Sequence, residues 1–325
     1  MSLFYEINPL DTLFFRGSVP MEAGQNIAVS MFPPPVSVFE GAVRTAVLKQ
    51  KNIDLKKYAS GEDDSLNALI GEPGGKPPFV ITSIMIRKNE KCYVKAPATW
   101  YFDSENKPKD KSEFLNKKII AARDMNKELD ALCVMSSEEN VPFVRAEKSI
   151  QPLGSIWISL DFLKSGKNKF SDGNDFLLQS EIYAFENRTG VALDEKKHTV
   201  ESQLYSACHV RLFEGISIVV SVSKDVGLED SGRLLLGGEK RICSYKKIDS
   251  GYIKDFSFEA NEFLSIVPIE ANEENLKSVV ASSKLLTVSG WDLAKGFHKP
   301  TSSWIPAGAV FSKNINNVCI PLRKI

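Results

Sequence analysis

Pro9-Leu10-Asp11-Thr12-Leu13-Phe14-Phe15-Arg16-Gly17, then Phe32-Pro33-Pro34-Pro35, then Val36-Ser37-Val38-Phe39-Glu40-Gly41-Ala42-Val43-Arg44 is the most informative part of this chain. Proline suits the first turn of a helix, where its missing N–H goes unneeded, so the proline run predicts a helix start. Val36, Phe39, Val43 and Val47 follow at i, i+3, i+7 and i+11, one apolar stripe of an amphipathic helix ending near Gln50. Ser37, Gly41 and Arg44 fall on a neighbouring face. A hydroxyl and free N–H groups in the first turn, a glycine allowing close approach and an arginine one turn on suit a phosphate backbone. An ordinary core helix with a solvated arginine has the same pattern, and these residues alone leave both readings open.

Outward from this helix, Leu3 to Ile7 read as a strand and Ser60 to Pro78 as an exposed connection rich in Gly, Asp, Glu and Pro. Phe79–Ile86 and Cys92–Phe102 read as a strand pair. Strand, helix, strand, strand is the first part of a ferredoxin-like β-α-β-β-α-β unit, although its second helix is not evident. A Lys-rich stretch follows, with Lys107, Lys109, Lys111, Lys117, Lys118, Arg123 and Lys127 among acids. Ser165 to Asp175 is polar and glycine-containing, the best linker candidate. Beyond it, Glu181–Phe185, Leu204–Phe213 and Ile216–Ser223 read as strands, the last two joined by a hairpin signal at Glu214-Gly215. Leu234–Leu236 and Phe263–Ile269 add strands, and Glu273–Ser283 a short helix. The expectation is an α+β fold of two tandem ferredoxin-like (RRM-like) domains with inserted loops, over residues 1–164 and 176–325.

Composition narrows the function. Two domains are the better expectation for 325 residues. Lys plus Arg and Asp plus Glu number 41 each, which argues against a protein that coats nucleic acid non-specifically and leaves room for a local basic track. Cys92, Cys133, Cys208, Cys243 and Cys319 are scattered without a C-x-x-C pair, as expected of reduced thiols in a cytosolic protein. No Cys/His cluster has zinc spacing, so neither a metal nor another cofactor is expected. Met1 to Asp11 lacks the features of a signal peptide, and Ile216–Val222 is too short to span a bilayer. A soluble, cytoplasmic protein with no membrane partner is expected.

Three constellations stand out as binding candidates. In Leu204–Phe213, Leu204, Cys208, Val210 and Leu212 share one parity, and Tyr205, Ala207, His209, Arg211 and Phe213 the other. With a period of two, the second set would present a ring, an imidazole and a guanidinium on one surface, as a single-strand RNA binder requires. The alternative is a face packed on a partner domain or subunit. Leu236-Gly237-Gly238-Glu239-Lys240-Arg241 ends a strand in two glycines and two cations, either an anion-binding concavity or a plain turn. Gly290-Trp291-Asp292-Leu293-Ala294-Lys295-Gly296-Phe297-His298-Lys299-Pro300 interleaves rings and cations, with Trp291, Lys295, His298 and Lys299 as candidate contacts. Neither G-x-G-x-x-G nor G-x-x-x-x-G-K-[ST] occurs.

The Leu10–Gly17 run and the Ser-x-x-x-Gly-x-x-Arg helix resemble the opening of the RAMP proteins (repeat-associated mysterious proteins) of CRISPR systems. The likeness is closest to the type III-B (Cmr) effector subunit that caps the 5′ end of the guide RNA. Glu186-Asn187-Arg188-Thr189-Gly190-Val191-Ala192-Leu193-Asp194 with Leu204–Ala207, Leu236–Glu239, and Gly290–Gly296 with Ile305–Val310 are similar to the same subunit, in family order. Ser60 to Gln151 carries no matching block. The resemblance implies a tandem ferredoxin-like arrangement and a glycine-rich loop that touches guide RNA. It thereby favours Gly237, Gly238, Lys240 and Arg241 as RNA contacts and adds Arg16 and Arg188. It also implies a β-hairpin inserted at the tag–spacer boundary, sought here between Lys88 and Lys127. Its implied partners are the crRNA 5′ tag, a large polymerase/cyclase-like subunit and neighbouring RAMP backbone subunits.

Catalysis has little support. His198, His209 and His298 are nominal acid/base candidates, because guide-processing relatives are endoribonucleases, but none has a sequence partner. Asp11 and Asp292 are single carboxylates without metal-pair spacing. A non-catalytic RNA-binding and assembly subunit is the leading expectation. Its rivals are a RAMP-type endoribonuclease that processes repeat RNA and a scaffold that never touches RNA.

Overall fold

Helix Val36–Gln50 forms where the proline run and the apolar stripe predict it, with Pro35 at its N-cap. The computed structural model describes residues 2–15, 27–103, 108, 110–115, 117–124, 142–144, 149–196, 198–249, 251, 256, 258–292 and 297–325. They contain seven-residue strands, long hairpin strands and short helices, an α+β chain dominated by sheet. Two compact units divide it, one of 1–84, 182–250 and 287–303, the other of 85–181, 251–286 and 304–325. Each unit thus draws on three separated segments.

In the first unit, strand Leu3–Pro9 lies between Ile216–Val222 and Ile242–Ile248, antiparallel to both, and Ser231–Leu235 pairs beyond. Ile216–Val222 is buried at every position, which accounts for its nearly unbroken Val/Ile composition. Helix Val36–Gln50 closes one face: Phe39, Ala42 and Val43 line a small apolar space with Tyr5, Ile7, Val220 and Leu234. Burial of Phe39 and Val43 contributes roughly 1.5–3 kcal/mol each. A second sheet is the long antiparallel hairpin Tyr183–Leu193 with Thr199–Leu212, joined in parallel by Ile27–Val29 along Ser206–Cys208.

In the second unit, Lys91–Lys95, Ile156–Ser159 and Phe176–Leu178 pair antiparallel in that order. The Ser159 hydroxyl caps helix Leu160–Ser165 by accepting the Phe162 N–H at 3.1 Å. Phe102, Phe114, Phe162, Phe170 and Phe176 make a chain of ring contacts with centroids 4.5 to 6.1 Å apart. Val279–Ala281, Val310–Phe311, Phe263–Ser265 and Cys319–Pro321 form a further sheet. Cys92, Cys208, Cys243 and Cys319 are free and buried, and burial pushes the Cys243 thiol up to about 12. Cys133 lies outside the described residues. No described helix is long and apolar enough to cross a membrane, and no described group of His, Cys, Asp and Glu could hold a metal.

Several local readings are corrected. Ser165–Asp175 is a built loop: Phe170 is fully buried, and Asp175 Oδ2 accepts the N–H groups of Ser171 and Asp172. Glu214-Gly215 turns the chain without making a hairpin. Thr199–Leu212 pairs with Tyr183–Leu193 and Ile27–Val29, whereas Ile216–Val222 pairs with Leu3–Pro9 in another sheet. A turn signal is local, and here partners remote in sequence win both ladders. Ser60–Pro78 contains the helical turn Asn67–Ile70, anchored by the fully buried Ile70. Glu273–Ser283 divides into helical turn Glu273–Leu276 and strand Val279–Ala281, as its β-branched Val279 and Val280 favour.

Gly308 fastens part of the second unit. Its carbonyl accepts the Ala98 N–H at 2.8 Å, and its own N–H reaches the Ser265 carbonyl at 2.9 Å. Its φ is +93°, and a Cβ there would lie 2.8 Å from the Ala96 carbonyl oxygen. Gly308→Ala should therefore lower stability by about 1–3 kcal/mol. The readout is a lower urea midpoint at unchanged slope; an unchanged midpoint counts against this packing.

Candidate nucleic-acid interface

The Leu10–Phe15 segment leaves its sheet and crosses the long hairpin. Leu13 and Val210 exchange two backbone hydrogen bonds, each 2.8 Å. Phe14 then stacks on His209 with centroids 5.1 Å apart, and its side chain packs with Ala28 and Ala207. Thr12 Oγ1 lies 3.2 Å from His209 Nδ1. The Phe14 carbonyl in turn accepts the Gly238 N–H at 2.8 Å, and Leu236 N–H closes the loop onto the Arg241 carbonyl at 2.9 Å. Gly237 has φ +78°, and a Cβ there would meet the Phe14 carbonyl oxygen and lie 2.8 Å from Phe15 Cδ1. Close packing against Phe14 and Phe15 explains the glycines. The expected concavity of free N–H groups is corrected accordingly, since the Gly238 N–H is already bonded.

This crossing gathers three of the candidate arginines. Arg188, Arg211 and Arg241 approach Asp11 at 3.6, 3.3 and 3.1 Å. Arg211 Nε donates to Glu186 Oε2 at 2.6 Å, and Arg188 donates twice to Glu186 Oε1 at 2.9 and 2.8 Å. Arg241 NH2 also bonds Glu239. Three guanidinium groups thus face three carboxylates with no net charge. The Thr12 backbone N–H, with Arg188, Arg211 and Arg241, holds the Asp11 carboxyl below its ordinary range. Hydrogen bonds from Arg211 and Arg188 do the same for Glu186. All but Arg241 keep a third or more of the side chain in solvent, so these pairs add little to stability.

His209 departs from the expected exposed face. Its side chain is 1% exposed, because Thr12 and Phe14, on either side of the Leu13 bridge to Val210, cover the face that carries His209. Burial lowers its pKa from 6.5, opposed by Glu239, whose Oε2 is 3.7 Å from Nε2. Only Arg211 and Phe213 remain exposed on that face among the described side chains. Exposed Leu10 and Ile242 flank the arginines, linked by the Leu10 N–H to the Ile242 carbonyl at 3.1 Å.

A second group surrounds helix Val36–Gln50. Ser37 and Gly41 are exposed, with open space around Gly41. Arg44 is not a free phosphate hook: it donates to the Gly75 carbonyl at 3.1 Å, to Tyr58 Oη at 2.7 Å and to the Glu72 carbonyl. Burial raises the pKa of Glu40, opposed by Arg44, Lys299 and Lys76, so Lys299 belongs to this helix's surroundings. The Lys299 N–H bonds the Gly290 carbonyl, and Trp291–Asp292 pairs with Phe297–His298. Lys240 is exposed on its turn. Arg16 and Lys295, and the side chains of Tyr205, Trp291 and His298, lie outside the described residues.

Sequence reasoning passed over Glu186 and Glu239 and treated Asp11 as solitary. A signal was available for Glu186. Glu186 and Arg188 are two apart on a strand, hence on one face, opposite His209 and Ala207.

The family described as CRISPR-associated protein (Cas_Cmr3) matches residues 5–260. A chain of the type III-B Cmr-beta complex bound to cognate target RNA shares the fold, with TM-score 0.56 and 18% identity over 95% of this chain and 86% of that one. In the same complex with AMPPnP, state 1, the TM-score is 0.53 and identity 19%, over 95% and 85%. No curated protein matches the sequence. The family match, over most of the chain, places the molecule among CRISPR-associated proteins. It belongs to the Cas_Cmr3 family.

Two outcomes test this geometry. With its folded pKa depressed, His209 takes up a proton first in the unfolded chain, so stability present at neutral pH is lost as pH falls below about 6.5. His209→Gln should flatten that loss in unfolding midpoints measured between neutral and mildly acidic pH. Arg44→Ala should cost roughly 0.5–1.5 kcal/mol of stability through the hydrogen bonds lost to Tyr58 and the Glu72–Gly75 loop, whereas unchanged thermal unfolding would return Arg44 to the ligand-binding candidates.

Proposed function

We propose that this chain is a non-catalytic guide-RNA-binding and assembly subunit of a type III-B effector, holding the crRNA 5′ tag and docking the large polymerase/cyclase-like subunit. The observation that carries the reading is the convergence of Arg188, Arg211 and Arg241 where the Leu10–Phe15 segment meets the glycine turn. Arginine forks match phosphate oxygens bidentately, and exposed Leu10, Ile242 and Phe213 offer apolar surface for bases. Base pairing supplies sequence specificity in guided complexes while protein contacts hold the backbone, which suits a chain of zero net charge. Two ferredoxin-like domains and neighbouring RAMP subunits as partners belong to the same reading.

The tag–spacer hairpin is better sought at Tyr183–Leu193/Thr199–Leu212 than between Lys88 and Lys127. Ile27–Val29 pairs only along Ser206–Cys208, so among the described residues the distal part is a two-stranded ribbon. Such a ribbon gains stability from a partner. Its turn is organised by Asp194 Oδ1, which accepts the N–H groups of Lys196 and His198.

Support for a non-catalytic role comes from His209, whose ring is stacked beneath Phe14, lies beside Thr12 and is only 1% exposed. Single-stranded RNA should bind with a log affinity that falls linearly with log salt. Replacing Lys240 and Arg241 together by Ala should flatten that slope by about one to two. Co-expression with the large subunit should give co-elution without guide RNA. Cleavage of repeat RNA by the purified chain, abolished by replacing its histidines, would establish the endoribonuclease alternative instead.

A further inference from the structure

Glu239 and Lys240 have φ of 56° and 53°, a left-handed region that residues with side chains occupy at a cost. The turn they form between Gly238 and Arg241 is therefore strained, and it places the Glu239 carboxylate on Arg241. The three carboxylates of the cluster are not held alike. Asp11 is bonded by the Thr12 N–H and approached by all three guanidinium groups. Glu186 stands on a regular strand and accepts three hydrogen bonds. Among the described residues Glu239 bonds Arg241 alone, with 44% of its side chain exposed, and its other close neighbour is His209 Nε2 at 3.7 Å. Arg241 Nε, buried behind it, meets no acceptor.

A carboxylate and a phosphodiester offer a guanidinium the same pair of oxygens. We propose that Glu239 is a displaceable internal substitute for phosphate. In the free chain it occupies Arg241; a backbone phosphate of single-stranded RNA takes its place as the turn swings outward. Asp11 and Glu186, more firmly held, stay to orient Arg188 and Arg211. Glu239 then sets a threshold: an anion engages this site only if it outcompetes an attached carboxylate, which a chain of phosphates does better than a lone anion. This deepens the RNA-binding reading and rests on it.

The test is equilibrium binding of a short, end-labelled single-stranded RNA to the full chain at low salt. Glu239→Gln should tighten binding about two- to fivefold, the range expected for releasing one exposed ion pair. Glu239→Gly removes the carboxylate and suits the positive φ, and should tighten binding similarly if the Gln variant folds poorly. Glu229→Gln removes the same charge elsewhere in the unit and should leave affinity unchanged. Adding Arg241→Ala to Glu239→Gln should erase the gain. RNA binding by the wild type with no gain in either Glu239 variant, or an equal gain in Glu229→Gln, overturns the displacement and leaves the RNA-binding reading standing. Absence of RNA binding in every variant overturns both.

Discussion

Two backbone hydrogen bonds between Leu13 and Val210 fix the geometry on which the arginine cluster depends. They hold the Leu10–Phe15 segment across the long hairpin, and every later contact follows from that placement. With Leu13 pinned, Asp11 reaches the arginines of the hairpin on one side of the crossing, and Phe14 covers His209 on the other. The Phe14 carbonyl then points where the Gly237-Gly238 turn can dock, bringing Arg241 to Asp11. Side-chain charge plays little part in building this arrangement. Backbone pairing and a small apolar contact among Phe14, Ala28 and Ala207 do it.

The charge cluster is thus a passenger on a rigid frame, and its weakness as a source of stability is compatible with its use. Exposed ion pairs add little to folding, yet they keep long side chains in one place. Arginines already ordered lose less rotamer freedom on meeting a ligand. Self-neutralisation also lowers the attraction for polyanions at a distance, consistent with equal numbers of acids and bases along the whole chain. A ligand recognised by such a cluster would be selected by fit at short range more than by long-range steering.

Whatever the sequence encodes locally was readable. The span Val36–Gln50 was legible because its start is marked by prolines and its buried face by adjacent turns. Leu3–Ile7 and Ile216–Ser223 were legible from composition alone. Reading failed where a remote segment decides. The parity of His209 was right as geometry, but the segment covering it sits 197 residues earlier, so its exposure was misjudged. Arg44 looked free because the loop that accepts its hydrogen bonds is 28 to 31 residues away. The glycine turn was located correctly, while its cause, the Phe14 carbonyl and the Phe14 and Phe15 rings, was out of view.

The interleaving of segments also bears on how the chain can be made. Strand Leu3–Pro9 finds its partners only when Ile216–Val222 and Ile242–Ile248 exist, and Phe263–Ser265 pairs with Cys319–Pro321 at the far end. At ribosomal speeds of about 5–20 residues per second, the first strand waits roughly 10–40 s for a neighbour. Throughout that interval its open edges are available to any other nascent strand. The first unit needs residues up to 303 and the second residues up to 325, so neither can form before most of the chain has been made. Its yield in the cell is then governed by how well the growing polypeptide is shielded, and the order of translation matters as much as final stability.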